Sequence, residues 1–188
     1  MTFRLAGSLP QEAILRLKEA RSDSQKEVES VENAVERNRL RKGWHAKYFD
    51  WIEDALDMAA GGPKWLQDPT IADLVAAAIH FRDTKVYNLL TFCIMPNHVH
   101  LLTSVERSDA SLYRILQSLK SYTARESNVL IGRSGAFWQH ESYDHVVRDE
   151  AELETTVWYI LDNPVKAGLC KNWRDWKWSY VKEGLIGL

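Results

Sequence analysis

The sequence predicts an α+β domain: a ferredoxin-like antiparallel sheet with helices on one face, plus a helical insertion after the first strand. Three observations predict it. Runs of strand-forming residues and apolar-periodic helical stretches follow one another in the order β-α-α-α-β-β-α-β-α, which an antiparallel α+β sheet accommodates. A single apolar hairpin, 87–105, lies in the middle of that order, as in a split βαβ unit. The long charged and helical stretch 11–84 separates it from the first strand, so that stretch reads largely as an insertion into one domain spanning 1–188. The 188 residues are 45% hydrophobic and 27% charged, the balance of a globular chain of one ordinary domain.

Each element has a local reason. Residues 2–5 (TFRL) read as a short strand, ended by Gly7 and Pro10. Residues 11–42 carry Ile14, Leu15, Leu17, Val28, Val31 and Val35 among charges, one long or broken helix that Ser22–Ser24 interrupts. A second helix, 48–60, stops at Gly61-Gly62-Pro63. A third runs from Pro69 to about Arg82, with Asp68 as N-cap. Residues 87–95 and 98–105 are strands joined at Pro96-Asn97. The stretch 110–130 places Leu112, Ile115, Leu116 and Leu119 on one helical face, 132–135 is a loop and 137–148 a strand. A helix over 150–161 closes at Asn163-Pro164 and Gly168. Trp173, Trp176 and Trp178 belong to a terminal segment that packs back on the core.

Composition excludes several classes. No apolar run approaches the about 20 residues of a membrane span, and MTFRLAGSLP has no apolar h-region. The two cysteines, Cys93 and Cys170, form no CxxC pair, and Cys93 lies in an apolar run as a small buried hydrophobe. These features point to a reducing, cytoplasmic compartment. The net charge of -2 and pI near 6.3 count against a nucleic-acid binder. Local balance differs: 112–148 holds Arg114, Lys120, Arg125, Arg133 and Arg148 against Glu126, Glu141 and Asp144, and 163–180 holds Lys166, Lys171, Arg174 and Lys177 against Asp175. Phosphate contacts need such clusters rather than net charge.

The densest chemical pattern is Pro96-Asn97-His98-Val99-His100. Side chains alternate along a strand, so two imidazoles about 7 Å apart share one face and can converge on one divalent ion. Taken alone, the pair fits surface or core histidines equally well. The second pattern is Tyr159-Ile160-Leu161-Asp162-Asn163-Pro164. On a helix, Tyr159 and Asn163 are neighbours one turn apart, a phenol beside an amide oxygen able to ligate a hard ion. Taken alone, Tyr159 also fits an amphipathic aromatic facing the sheet and Asn163 a C-cap. Tyr122, with Glu126 one turn on, is the rival nucleophile, and Tyr143 reads as a packing or DNA contact. His140 and His145 fall on opposite strand faces, so at most one joins a site; His45 and His80 have no supporting context.

In this order, PNHVH, Phe137-Trp138-Gln139 and YILDNPVKAG (159–168) resemble the REP-associated tyrosine transposases, part of the HUH single-tyrosine, IS200-like superfamily. The resemblance extends from Thr2 to about Tyr180. It implies a Mg²⁺ or Mn²⁺ ion held by His98 and His100, with Asn163 as a third ligand and Tyr159 as nucleophile. It implies nicking and strand transfer of single-stranded DNA beside a REP-like hairpin through a 5′-phosphotyrosine, in a cytoplasmic, nucleoid-associated monomer or homodimer. Residues that the family uses before the first strand lie outside this sequence. Lys120, Arg125, Arg133, Arg148 and Lys166 are then candidate phosphate contacts, and Trp138 and Gln139 candidates to stack on or hydrogen-bond an unpaired base. The alternatives are a metal-dependent phosphodiesterase that uses water, and a non-catalytic or regulatory DNA-binding protein derived from a transposase. The charged stretch 11–42 reads as a solvated face, with a dimer or partner surface as its alternative.

Overall fold

A computed structural model describes residues 1–57, 61–105 and 111–187, the side chains of 42, 45, 46, 49, 50 and 57 excepted. Four antiparallel strands form the ferredoxin-like part: β1 (Thr2–Leu5), β2 (Asn88–Ile94), β3 (His98–Ser104) and β4 (Trp138–Tyr143). A fifth, β5 (Ser179–Val181), gives the sheet order β4-β1-β3-β2-β5. The helices are α1 (Gln11–Ser30), α2 (Ala34–Asp57), α3 (Pro69–Arg82), α4 (Leu112–Leu130) and α5 (Glu150–Lys166), with 3₁₀ turns at Trp65–Gln67 and Trp173–Asp175.

The chain forms two compact units, Met1–Ala6 with Pro63–Leu188, and Gly7–Gly62. The α3 helix, which falls within the stretch 11–84, groups with the sheet. In the helical unit, Gly62 (φ 93°) comes so close to Gly7 that a Cβ there would meet the Gly7 carbonyl oxygen at 2.8 Å. Glycine alone allows that approach and that φ. The helix break differs from expectation. Ser22–Ser24 stays helical, and the break falls at 31–33, where the Asn33 side chain accepts the amides of Val35 and Glu36 at 2.9 and 3.1 Å and caps α2. From there α2 runs unbroken through Gly43 and absorbs the expected separate helix at 48–60 as far as Asp57.

In the sheet unit, period-2 alternation sorts the strands into two faces. Phe3, Leu5, Leu89, Phe92, Ile94, Val99 and Leu101 pack with Ile71, Val75 and Ile79 of α3 and Leu116 and Leu119 of α4. On the other face, Cys93, Met95 and Leu102 pack with Val157, Ile160 and Leu161 of α5. The expectation of helices on one face therefore holds for α3 and α4 and is corrected for α5, which covers the reverse side. The Asp68 carboxylate caps α3 through the Thr70 amide at 2.8 Å, with Pro69 in the first turn.

Pro164 does not end α5. The helix continues to Lys166 and closes at Gly168 (φ 69°), whose amide bonds the Val165 carbonyl at 2.9 Å. Asn163 is thus an interior helical residue, not a C-cap. The expected strand 137–148 is shorter, ending at Tyr143. Strand β5 was not anticipated; it pairs with β2, and the terminal tryptophans pin it. Trp176 donates to the Ile94 carbonyl at 3.0 Å and Trp178 to the Asp73 carboxylate at 2.9 Å. No helix among the described residues is long and apolar enough to cross a membrane.

Candidate active site

The hairpin turn sets the first half of the site. The Met95 amide donates to the His98 carbonyl at 2.9 Å, so β3 starts at His98 with its side chain on the α5 side of the sheet. Both His98 and His100 are buried, and their Nε2 atoms face each other at 2.9 Å. Two imidazole nitrogens about 2.1 Å from one ion and at right angles across it lie about 3.0 Å apart. The pair already has the spacing of adjacent ligands.

The other ring nitrogens are held as well. His98 Nδ1 lies 2.7 Å from Asn97 Oδ1, and His100 Nδ1 lies 3.0 Å from the Thr2 hydroxyl. Thr2 is placed by strand register, directly opposite His100 on β1, as Arg4 is opposite His98. Thr2, Arg4 and Asn97 are all buried. One proton assignment satisfies these three contacts together. In it, His98 is protonated on Nδ1 and donates a hydrogen bond to Asn97 Oδ1, His98 Nε2 accepts from Nε2–H of His100, and His100 Nδ1 accepts from Thr2. Because a hydroxyl both donates and accepts, Thr2 can reverse its role when His100 moves its proton to Nδ1. Both Nε2 lone pairs are then available to one ion, as ligating histidines require.

The second half comes from α5. The Tyr159 ring meets the His100 ring edge-on, with centroids 5.8 Å apart at 88°. One turn on, the buried Asn163 donates its Nδ2 to the Tyr159 carbonyl at 2.8 Å. That bond uses an amide hydrogen and leaves the Oδ1 lone pairs for another partner. Lys166, a further turn along, lies with its ammonium 4.7 Å from the centroid of the Tyr159 ring. Asp149 caps the start of α5 by accepting the Glu152 amide at 2.8 Å. Glu152 in turn takes His145 Nε2 at 2.6 Å and the Arg148 amide at 2.8 Å. The neighbouring imidazole holds the Glu152 carboxyl below the usual carboxylate range.

The structure thus brings His98, His100 and Tyr159 together, with Asn163 and Lys166 on the tyrosine's own helix. Other sequence candidates fall elsewhere. Trp138 is 6% exposed, packs edge-on against Phe3 and Phe137, and donates to Thr123 Oγ1 at 2.9 Å. Tyr122 lies on α4, across the sheet from Tyr159, with Arg82 and Arg125 against its ring. Arg125 pairs with Glu126, and Arg133 sits 4.0 Å from the Trp65 ring centroid and braces the Asn128 and Ala136 oxygens. His140 is exposed on β4, His80 packs edge-on against Phe92 and Tyr180, and the His45 side chain lies outside the described residues.

Lys120 reaches from α4 to the edge strand β4, where Nζ donates to the Gln139 carbonyl (2.7 Å), the His140 carbonyl (2.9 Å) and the Ser142 hydroxyl (2.9 Å). Burial, opposed by Glu141, pushes its ammonium down to about 8. A groove of about 620 Å³ runs between α4 and β4, with Tyr113, Gln117, Lys120, Gln139 and His140 on its walls.

Sequence reasoning missed Thr2, Arg4 and Asn97. Each is an ordinary polar residue in its own segment, and only the pairing of β1 with β3 places the first two beside the histidines. The strand at T-F-R-L was legible, and its register was not.

The model of the family described as "Transposase IS200 like" matches residues 64–163, just over half of the 188-residue chain. The chain belongs to the IS200-like transposase family. Its relatives include a REP-associated tyrosine transposase of Haemophilus influenzae, 28% identical over 102 residues, covering 50% of this chain and 58% of that one. A REP-associated tyrosine transposase of Escherichia coli K12 is 24% identical over 106 residues, covering 55% and 59%. The chain therefore spans under two thirds of the length of these curated relatives. Among solved structures, a REP-associated tyrosine transposase bound to a REP hairpin is similar at a TM-score of 0.49 and 21% identity, over 62% of this chain and 67% of that one.

Proposed function

We propose that the chain is a metal-dependent, single-stranded DNA nickase and strand transferase acting beside REP-like hairpins, with Tyr159 as nucleophile. The observation that carries this reading is the convergence of two buried imidazole Nε2 atoms at 2.9 Å on the sheet face that Tyr159 covers. The residues suit a divalent ion: two nitrogen donors at ligand spacing, each oriented through its other nitrogen; the Asn163 amide oxygen, unused in the bond to Tyr159, is the proposed third donor. His98, His100 and Asn163 would hold Mg²⁺ or Mn²⁺, which when bound polarises the scissile phosphate and offsets the charge of the pentacoordinate transition state.

The protein residues do the rest. A phenol with an ordinary value near 10 is a weak nucleophile at neutral pH. Packing of the ring edge-on against His100 would lower the entropic part of the barrier by narrowing the orientations of the oxygen. In the step itself, the Tyr159 oxygen bonds to phosphorus and the bond from phosphorus to the 3′-oxygen breaks. The phenolic proton ends on that leaving oxygen, giving a 5′-phosphotyrosine and a free 3′-hydroxyl. Reversal by another DNA 3′-hydroxyl completes strand transfer without an external energy source. Lys166, on α5 with Tyr159, is the proposed DNA contact nearest this chemistry, and Gln139 and Arg148 are proposed contacts as well. Lys120, Arg125 and Arg133 lie on the α4 side of the sheet and would meet DNA away from the cut. The helical stretch 7–62 is an insert of the same transposase domain, which works as a cytoplasmic, nucleoid-associated protein.

The test is a denaturing gel after incubation with single-stranded hairpin DNA and Mn²⁺. A covalent protein–DNA adduct that disappears in Tyr159→Phe and in His98→Ala supports the reading. Cleavage without adduct would instead indicate a phosphodiesterase using water. Binding without cleavage would indicate a regulatory DNA-binding protein.

A further inference from the structure

The charge of the helical unit 7–62 is arranged in a way that helix stability does not explain. Residues 34–48 of α2 hold Arg37, Arg39, Arg41, Lys42 and Lys47 against Glu36 alone, while 49–57 hold Asp50, Glu53, Asp54 and Asp57 and no cation. The macrodipole favours the reverse, acids early and cations late. The last turn of α2 has no basic residue. Arg37 and Arg41 stand four residues apart, a like-charge neighbour pair that weakens a helix. Among the described residues, Arg37, Arg39, Arg41 and Lys47 are exposed and none pairs with a carboxylate. Such a row of unneutralised cations has its natural complement in a polyanion.

Aromatic groups accompany them. Arg37, Arg41 and Trp44 follow one another at spacings of four and three, on one side of α2. Lys47 lies 5.5 Å from the Trp44 ring centroid, and Trp51, 43% exposed, meets Trp44 edge-on at 6.2 Å. Trp44 Nε1 is fixed to Glu27 of α1 at 3.0 Å, and the two arginines are steadied by the Val31 carbonyl and Asn38 Oδ1. From residue 37 to 47 the helix rises about 15 Å, long enough to follow two or three successive phosphates.

We propose that this face of α2 is an accessory nucleic-acid surface that grips the phosphate backbone of the transposase's own DNA and so adds affinity. The proposal rests on the transposase reading, and its partner is DNA rather than a protein.

The test uses the full chain carrying Arg37→Gln, Arg41→Gln and Lys47→Gln together, and a charge-retaining control, Arg37→Lys, Arg41→Lys and Lys47→Arg. Affinity for a DNA hairpin with single-stranded flanks is measured from 50 to 300 mM salt. Each phosphate contact contributes about 0.7–0.9 to the slope of log affinity against log salt. The glutamine variant is therefore expected to bind about 10- to 100-fold more weakly at 0.1 M salt, with a slope shallower by about 2. The control keeps the wild-type slope, and adduct formation at saturating DNA is unchanged in both. All three positions are exposed, so the melting temperature should hold or rise. If wild type binds the hairpin and the glutamine variant matches it in affinity and slope, the proposal is overturned and the transposase reading stands. If wild type itself neither binds nor forms an adduct, the transposase reading fails first. Unchanged DNA binding with altered sedimentation would make this a protein contact and overturn the proposal as well.

Discussion

Replacing Thr2 by valine keeps a β-branched side chain on β1 and deletes one oxygen, the atom 3.0 Å from His100 Nδ1. Thr2 is 2% exposed, so bulk water cannot replace that hydroxyl directly. Loss of an outer-shell partner of a ligating histidine typically weakens metal binding about 10- to 100-fold. At about 1.4 kcal/mol per tenfold, that corresponds to about 1.4–2.8 kcal/mol. The effect should fall on the ion more than on the fold, because one lost hydrogen bond changes stability by about 0.5–1.5 kcal/mol. Titration calorimetry with Mn²⁺ on Thr2→Val, Thr2→Ser and wild type separates the two. Thr2→Ser should bind within about twofold of wild type, since the hydroxyl returns, and Thr2→Val should show the full loss with its fold intact by circular dichroism. Equal Mn²⁺ affinity in Thr2→Val and wild type would refute the view that Thr2 sets the His100 tautomer.

Three further predictions concern other parts of the chain. Trp138→Phe removes the buried bond to Thr123 and some core volume, so it should lower unfolding free energy by about 1–3 kcal/mol while leaving hairpin affinity within about twofold; a large affinity loss in a stable variant would restore Trp138 as a base contact. Lys120 is protonated in both states at low pH, but between about 8 and its ordinary value of 10.5 only the unfolded chain keeps the proton, so stability from this group rises with pH across that window. Urea midpoints at pH 7.5 and 9.5 should show that rise in wild type and a flatter profile in Lys120→Met. Asn33→Ala removes the cap of α2 and should destabilise its first turn by about 0.5–2 kcal/mol, read as faster hydrogen exchange at residues 35–37.

Much of this architecture was legible in the residues. Runs of strand-forming residues marked β1, β2 and β3, alternation placed His98 and His100 on one face of β3, Asp68-Pro69 marked the start of α3, and His-x-His with Tyr159 and Asn163 four apart supplied the candidate chemical elements. What escaped was long-range or context-dependent. Ser22–Ser24 resembles a breaker, but a serine hydroxyl can bond back to its own helix, as Ser24 does to the Arg21 carbonyl at 2.8 Å, while Asn33 offers a stronger cap nearby. Pro164 resembles a stop, yet the Schellman-like closure at Gly168 carries the helix past it. Trp138 beside Gln139 suggested base stacking because alternation alone does not say which face of an edge strand is the core. The position of α5 on the reverse face from α3 and α4 depends on apolar residues that both faces possess. Strand β5 is three residues long, held by tryptophan donors 82 and 105 positions from their acceptors.

The most direct measurement of the proposed chemistry identifies the residue that carries DNA. Wild-type protein is incubated with hairpin DNA and Mn²⁺, the adduct is trimmed with nuclease, and the peptides are sequenced by mass spectrometry. A nucleotide 5′-phosphate on Tyr159 is the expected result. Attachment at Tyr122, on the other side of the sheet, or cleaved DNA with no modified tyrosine, would contradict it.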